Sequence, residues 1–340
     1  MPLTLRLLQI VAPARDREAV ARVLEEAEIA DAWHRELTDG RGLTEVLLNA
    51  DRTEELTDTL RERFLAHEGF RLVLLPIEAT MPQPPEPPPP DKAERKATGK
   101  GGPPGRLSRE ELYADVMKGA DANRVYVLTV IMASILAAVG LVRDDPVILV
   151  GAMVVAPLLG PNLALSFGTT LADIPLIRRS LRTTAMGVGL ALLFSILVGM
   201  TLVVDPTIDA IGNRTRVGAA DVAVALAAGS AGALTFTTGL PSALVGVMVA
   251  VALLPPLVNA GLLLGSGWTG LALGSLMLVF TNVVCLNLAG VVTFRLQEIR
   301  PRSWWEEDRA RKAVRTAFWL YAVLLAALMG LMLMIWGGDG

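Results

Sequence analysis

Seven apolar runs, near 125–142, 146–169, 181–203, 219–237, 242–265, 269–294 and 316–336, constrain this chain more than any other feature. Each approaches the roughly 20 residues a helix needs to cross a bilayer. In lipid, such runs are confined to helices, because every backbone donor and acceptor has to be satisfied within the protein. With 52% hydrophobic but still 19% charged residues, and most of the charge before residue 125, the 340-residue chain reads as a helical membrane domain with a soluble head. A net charge of −3 without a clustered basic surface excludes nucleic-acid binding.

Two of these runs carry the same motif. Val150 to Pro161 (VGAMVVAPLLGP) and Val245 to Pro256 (VGVMVAVALLPP) agree at seven of twelve positions. Proline removes a donor and collides with the preceding turn, so helix breaks are expected at Pro157, Gly160 and Pro161 in the first copy and at Pro255 and Pro256 in the second. The offset of 95 residues maps the first run onto the fourth and the third onto the sixth. Two three-helix repeats follow, about 125–203 and 219–294, with an extra helix at 316–336. An odd number of spans per repeat inverts one repeat relative to the other, as in many secondary transporters.

Polar residues within the runs are amides and hydroxyls rather than charges. Asn162 and Ser166 follow the first motif, Asn259 follows the second, and Asn282 and Asn287 lie on the sixth run. They are the candidate solute-binding residues; the competing role is helix-to-helix hydrogen bonding. Asn162 is placed to cap a half-helix restarting after Gly160-Pro161, and Asn162 and Asn259 are expected to converge near the midplane. Ala225, Gly229 and Ala233, four apart, predict that the fourth helix admits a close neighbour and is central.

The N-terminal region lacks the apolar core of a signal peptide. Arg178, Arg179 and Arg182, then the basic residues from Arg295 to Arg315, outnumber Arg143, Arg214 and Arg216 on the alternate loops. That bias orients a multi-pass protein of the cell (inner) membrane, with its N-terminus cytoplasmic and its C-terminus outside. Re-entrant hairpins in place of the two broken runs would leave five crossings and the same C-terminal side.

Residues 1–80 alternate strand-like and helical patterning in the order βαββαβ, which predicts a ferredoxin-like α+β domain. Its hairpin turns at Asp39-Gly40-Arg41-Gly42, and its second helix is capped by Asp51 and striped with Leu56, Leu60 and Phe64. Residues 81–106, containing PQPPEPPPP, form a tether. Ser108 and Glu111 then open an amphipathic interfacial helix over 107–121, ahead of the transmembrane domain at 122–340. The single Cys285 and the two histidines, His34 and His67, offer no metal set, and no cofactor is implied. No serine-histidine pair, acidic dyad or HExxH lies in the runs, so an enzyme is not expected.

The segments LYADVMKGADANRVYVL (112–128), GLVRDDPVILVGAMVVAPLLGPN (140–162), SALVGVMVAVALLPPLVNAGLLLG (242–265) and TNVVCLNLAGVVTF (281–294) resemble a widespread family of bacterial and archaeal hydrophobic membrane proteins known only as a domain of unknown function. The resemblance covers about residues 107–296. It implies a polytopic membrane domain and brings no substrate or catalytic residue. Two functions remain in view. One is a transporter or channel for a small neutral or anionic solute, with the head in a regulatory or assembly role. The other is a membrane-anchored sensor or scaffold whose head binds a metabolite or protein. A homo-oligomer is expected in either case.

Overall fold

The structure, a computed structural model, describes residues 5–27, 29, 31–77, 80, 107, 109–238, 242–299 and 304–336; within this set the side chains of 50–51, 242–248, 304–310, 329 and 331–336 are not described. The tether at 81–106 and the Ser108 cap therefore lie outside the described residues. The chain divides into two compact units, 1–112 and 113–340.

In the first unit, β1 (Leu5–Pro13) is followed by a 3-10 turn and α1 (Arg17–Glu26), then β2 (Ala32–Glu36), β3 (Arg41–Asn49), α2 (Ala50–Phe64) and β4 (Arg71–Pro76). The four strands form an antiparallel sheet in the order β2-β3-β1-β4. Alternation places Leu8, Ile10 and Ala12 of β1 on the core face, against Val20, Val23 and Leu24 of α1 and Leu56, Leu60 and Phe64 of α2. The other face carries an apolar row in cross-strand register, Leu7 opposite both Leu47 and Leu75, with Gln9 opposite Val73. Gly40 takes φ +80° in the β2–β3 turn, a left-handed angle that glycine adopts without a Cβ clash. Helix α2 starts at Ala50 behind Asn49, so Asp51 lies within its first turn and is not its cap. Arg6, buried on β1, is paired with Glu111 at 2.5 Å, which compensates an otherwise costly buried charge.

The second unit is helical. The amphipathic α3 (Arg109–Gly119), whose first turn belongs to the first unit, leads into α4 (Arg124–Val142), capped by Asn123, whose side chain accepts from the Tyr126 amide. The first motif becomes two helices, α5 (Pro146–Val155) and α6 (Leu159–Leu171), bent by 53°. Helix α7 (Ile174–Thr201) follows, then a loop bearing the one-turn α8 (Asp209–Gly212), and then α9 (Ala219–Thr238), α10 (Ser242–Gly265), α11 (Thr269–Leu296) and α12 (Trp304–Trp336). Among the described residues, α4, α7, α9 and α11 are long and apolar enough to cross a membrane, and the bent α5–α6 pair makes a fifth candidate where sequence periodicity suggests seven. In α10 the described apolar segment is Val249–Gly265. This is a multi-pass membrane architecture by length and composition.

The helix break lies at Ala156–Leu158. Ala156, immediately before Pro157, is extended at φ −68°, ψ 121°, as the proline ring requires of its predecessor. Gly160 and Pro161 do not break the chain. They occupy the first turn of α6, where backbone N–H groups have no helical partner, so a missing donor costs nothing. The second break, expected at Pro255 and Pro256, does not form either, and both prolines sit inside continuous α10.

Packing crosses between the two halves. Helix α10 lies along α7, and α6 lies along α11, while α4 contacts α7 and α9 contacts α11. Glycines allow the closest crossing: a Cβ on Gly199 would lie 2.3 Å from the Leu262 carbonyl oxygen, and one on Gly265 2.3 Å from that of Ile196. Gly261 and Gly265 on α10 thus form a small-xxx-small face against Ser195 and Gly199 on α7. On α9, Ala225, Gly229 and Ala233 are buried as one stripe, with Gly229 against the backbone of Leu286. Among the four candidate spans α11 is enclosed far more than α9, with 72% of its apolar window buried against 28% for α9.

Candidate functional site

The five candidate polar side chains are all buried, but they do not form one site. Asn162, Ser166 and Asn287 form one cluster between α6 and α11. Ser166 Oγ donates to Asn287 Oδ1 at 3.0 Å, Asn287 Nδ2 donates to Val283 O at 2.9 Å and to Asn162 Oδ1 at 3.3 Å, and Asn162 Nδ2 donates to Leu158 O at 2.8 Å. Helix α6 begins behind Leu158 with no side-chain cap. Asn162 therefore does not cap the half-helix; it sits in its first turn and ties the break to α11 through Asn287. Gly290 permits the approach, since a Cβ there would lie 2.7 Å from Ser166 Oγ.

Asn259 belongs to a second cluster. Its Nδ2 donates to Ile211 O at 3.1 Å and to Ser275 Oγ at 3.0 Å, so α10 and α11 are joined to the loop that follows α7. Ser275 is a participant that the amide pattern alone does not reveal, because its partner lies on another helix. Ser275 and Asn287 are twelve residues apart on α11, a separation of about 18 Å at 1.5 Å per residue. Asn162 and Asn259 therefore do not converge: each reaches α11 at its own level. The loop above the second cluster is held by Asp144, whose Oδ1 accepts from the Ala210 amide at 3.0 Å. Burial lowers the pKa of Arg214 in that loop, against the opposing pull of Asp144 and Asp221.

Asn282 lies on α11 between the two levels. Its Nδ2 donates to the Ala252 carbonyl at 2.6 Å. That carbonyl is four residues before Pro256, which has no N–H to offer it, so a side chain of another helix replaces the missing intrahelical bond. Asn282 thus replaces the bond that Pro256 removes from α10, which stays helical through Pro255-Pro256.

These contacts also orient the amides. A carbonyl only accepts, so nitrogen must face Ala252 O at Asn282 and Ile211 O at Asn259. The carboxamide oxygens of Asn259 and Asn282 are then left buried with no donor among the described residues. Among the described residues no three His, Cys, Asp or Glu side chains come together at metal-binding distance.

Residues 153–288 match the family described as Domain of unknown function (DUF389). A protein of Methanocaldococcus jannaschii described as uncharacterized is 34% identical over 294 residues, covering 86% of this chain and 87% of its own length. The chain belongs to the DUF389 family. The DUF389 match contains all five candidate amides and hydroxyls, the α5–α6 break and the two prolines of α10. No solved structure matches the chain significantly.

Proposed function

We propose that this protein is a transporter or channel for a small neutral or anionic solute, with residues 1–80 as a cytoplasmic regulatory or assembly domain. The observation that carries the reading is the pair of carboxamide oxygens on Asn259 and Asn282 that find no donor among the described residues, buried at 0% and 4% exposure in the helical interior. An unpaired buried acceptor costs about 1–3 kcal/mol. A permeating solute that bears hydroxyl or amide donors, or a water accompanying it, satisfies both.

The exchange of packing partners, α6 on α11 and α10 on α7, is what an inverted pair of three-helix repeats produces and supports that relationship. Within such a pair, the α5–α6 break supplies an irregular segment, whereas α10 retains a helix stitched by Asn282.

The test is flux in liposomes containing the full-length protein, measured over a panel of small neutral and anionic solutes. Wild-type protein moves at least one member, and Asn259→Leu, Asn282→Leu and Asn162→Leu slow it by ten-fold or more while the protein still melts cooperatively. If no solute moves, the transport reading fails.

A second reading, a membrane-anchored sensor or scaffold, has its own support in the head. A cleft of about 320 Å³ between α1 and α2 is lined by Glu26, Arg52, Glu55 and Arg63. The apolar row on the open sheet face suits assembly with another copy. A metabolite that raises the melting temperature of the head, with no solute flux in liposomes, would favour this reading over transport.

A further inference from the structure

A second cleft, of about 720 Å³, opens at the end of the helical unit where α7 begins, and three arginines line it: Arg178, Arg179 and Arg182. They lie within five residues of one another, and Arg178 and Arg182, one turn apart, share a face of the helix. Arg179 is answered by Asp121, with which it forms a close ion pair. Arg178 and Arg182 are exposed and carry neither an ion pair nor a hydrogen bond among the described residues. The nearby Thr183 hydroxyl is already committed to the Ala120 carbonyl at 2.7 Å. The cleft therefore retains two unanswered like charges, which repel each other unless an anion lies between them.

The rest of the wall is apolar, with Ile174, Pro175 and Met186 among its residues. Ile174, at the start of α7, is 52% exposed, and Met186, about 18 Å further along the helix, is 44% exposed, a surface that suits hydrocarbon rather than water. Arg182 lies eight residues into α7, about 12 Å from its start, and its long side chain can reach back toward the headgroup level. Guanidinium forks above an apolar strip match a phosphate joined to acyl chains.

We propose that this cleft binds an anionic phospholipid, its phosphate held between Arg178 and Arg182 and an acyl chain laid along Met186, one turn further into α7 than Arg182. A free inorganic anion would use the same arginines but not the strip. Lipid binding here steadies the start of α7, the helix against which α10 packs.

The experiment uses full-length protein in a neutral detergent, titrated with dioctanoyl phosphatidylglycerol, dioctanoyl phosphatidylcholine or inorganic phosphate, with affinity read by thermophoresis. Wild-type protein prefers the anionic lipid to phosphatidylcholine, and inorganic phosphate competes only weakly. Each of Arg178→Gln and Arg182→Gln weakens the anionic lipid about five-fold, and both together about thirty-fold, from the usual contribution of one basic residue at an anionic surface. Arg295→Gln removes a charge near Phe294, which packs on Phe167 of α6 at the same end of the unit, and leaves the affinity unchanged. Folding is followed through protection of the buried Cys285 thiol, and the single substitutions serve if the double one misfolds. Equal affinity for the two lipids, an unaffected double variant, an equal loss in Arg295→Gln, or full competition by inorganic phosphate would each overturn the assignment.

Discussion

Replacing Gly199 by alanine is the sharpest probe of the crossing between α7 and α10. The new Cβ would meet the Leu262 carbonyl oxygen at 2.3 Å and its carbonyl carbon and Cα at 2.9 Å. These are backbone atoms, so no rotamer relieves the contact, and the helices must separate by about 1 Å to restore ordinary packing. The separation also strains the bond that Ser266 Oγ donates to Gly199 O at 2.8 Å. Overpacking costs about 1–3 kcal/mol and the weakened bond about 1 kcal/mol, while alanine's helix propensity returns about 0.5–1 kcal/mol. The net loss is about 2 kcal/mol, a fall in melting temperature of about 5 °C for a unit of this size. Cys285 provides the assay, because it is the single cysteine of the chain and is fully buried, so a thiol-reactive dye reports unfolding directly. Gly151→Ala, Gly189→Ala and Gly270→Ala are the controls, since a Cβ at these positions meets nothing within 4 Å. They melt at or above the wild-type temperature. If Gly199→Ala melts with the controls, the close crossing is not what joins these helices.

Asn282→Leu strands the Ala252 carbonyl and lowers stability by about 1–3 kcal/mol; Pro256→Ala, which restores an N–H to that carbonyl, recovers part of the loss in a double-mutant cycle, and strict additivity would show that the side chain does not replace the proline's bond. Single cysteines at Thr238 and Gly267, which flank α10, label from opposite faces of oriented vesicles, and labelling from one face would sink the seven-span topology. In the first unit, Asp39 titrates below its ordinary value because the Arg41 side chain and amide donate to it. Its folded pKa is depressed, so its contribution is present above the unfolded value near 3.8 and is lost as pH falls through the lower folded value. Arg41→Gln moves the Asp39 titration, followed by NMR on residues 1–112, back toward the ordinary value.

Local patterning locates the elements of this chain well. The stripe of Leu56, Leu60 and Phe64 is buried along α2, and the expected runs fall on α4, α5–α6, α7, α9, α10 and α11 with shifts of a few residues, apart from α7, which begins seven residues earlier than its run. The apolar run at 181–203 understates α7 because its first turns carry Arg178, Arg179 and Arg182, which hydropathy alone treats as loop. Distinguishing the two proline motifs lay beyond reach. At Pro157 the preceding Ala156 is extended and the helix ends, while α10 continues through Pro255-Pro256, the bond lost at Pro256 being replaced by an amide twenty-six residues further along the chain. Enclosure of α11 was equally invisible, because the small-residue face of α9 records how closely a neighbour approaches and not how many neighbours surround a helix.

By itself, then, the amino-acid order determines which segments are helices in lipid, which strands make the head's sheet and where prolines remove donors, because these depend on periodicity and on backbone groups only a few residues apart. It also determines the family. Tertiary structure alone decided which buried amides share a cluster, which carbonyl freed by a proline finds a donor, and which two carboxamide oxygens of the helical unit find none among the described residues. A hydrogen bond between helices depends on their relative height and rotation, and those are set by glycine crossings such as Gly199 against Leu262, which no local pattern encodes.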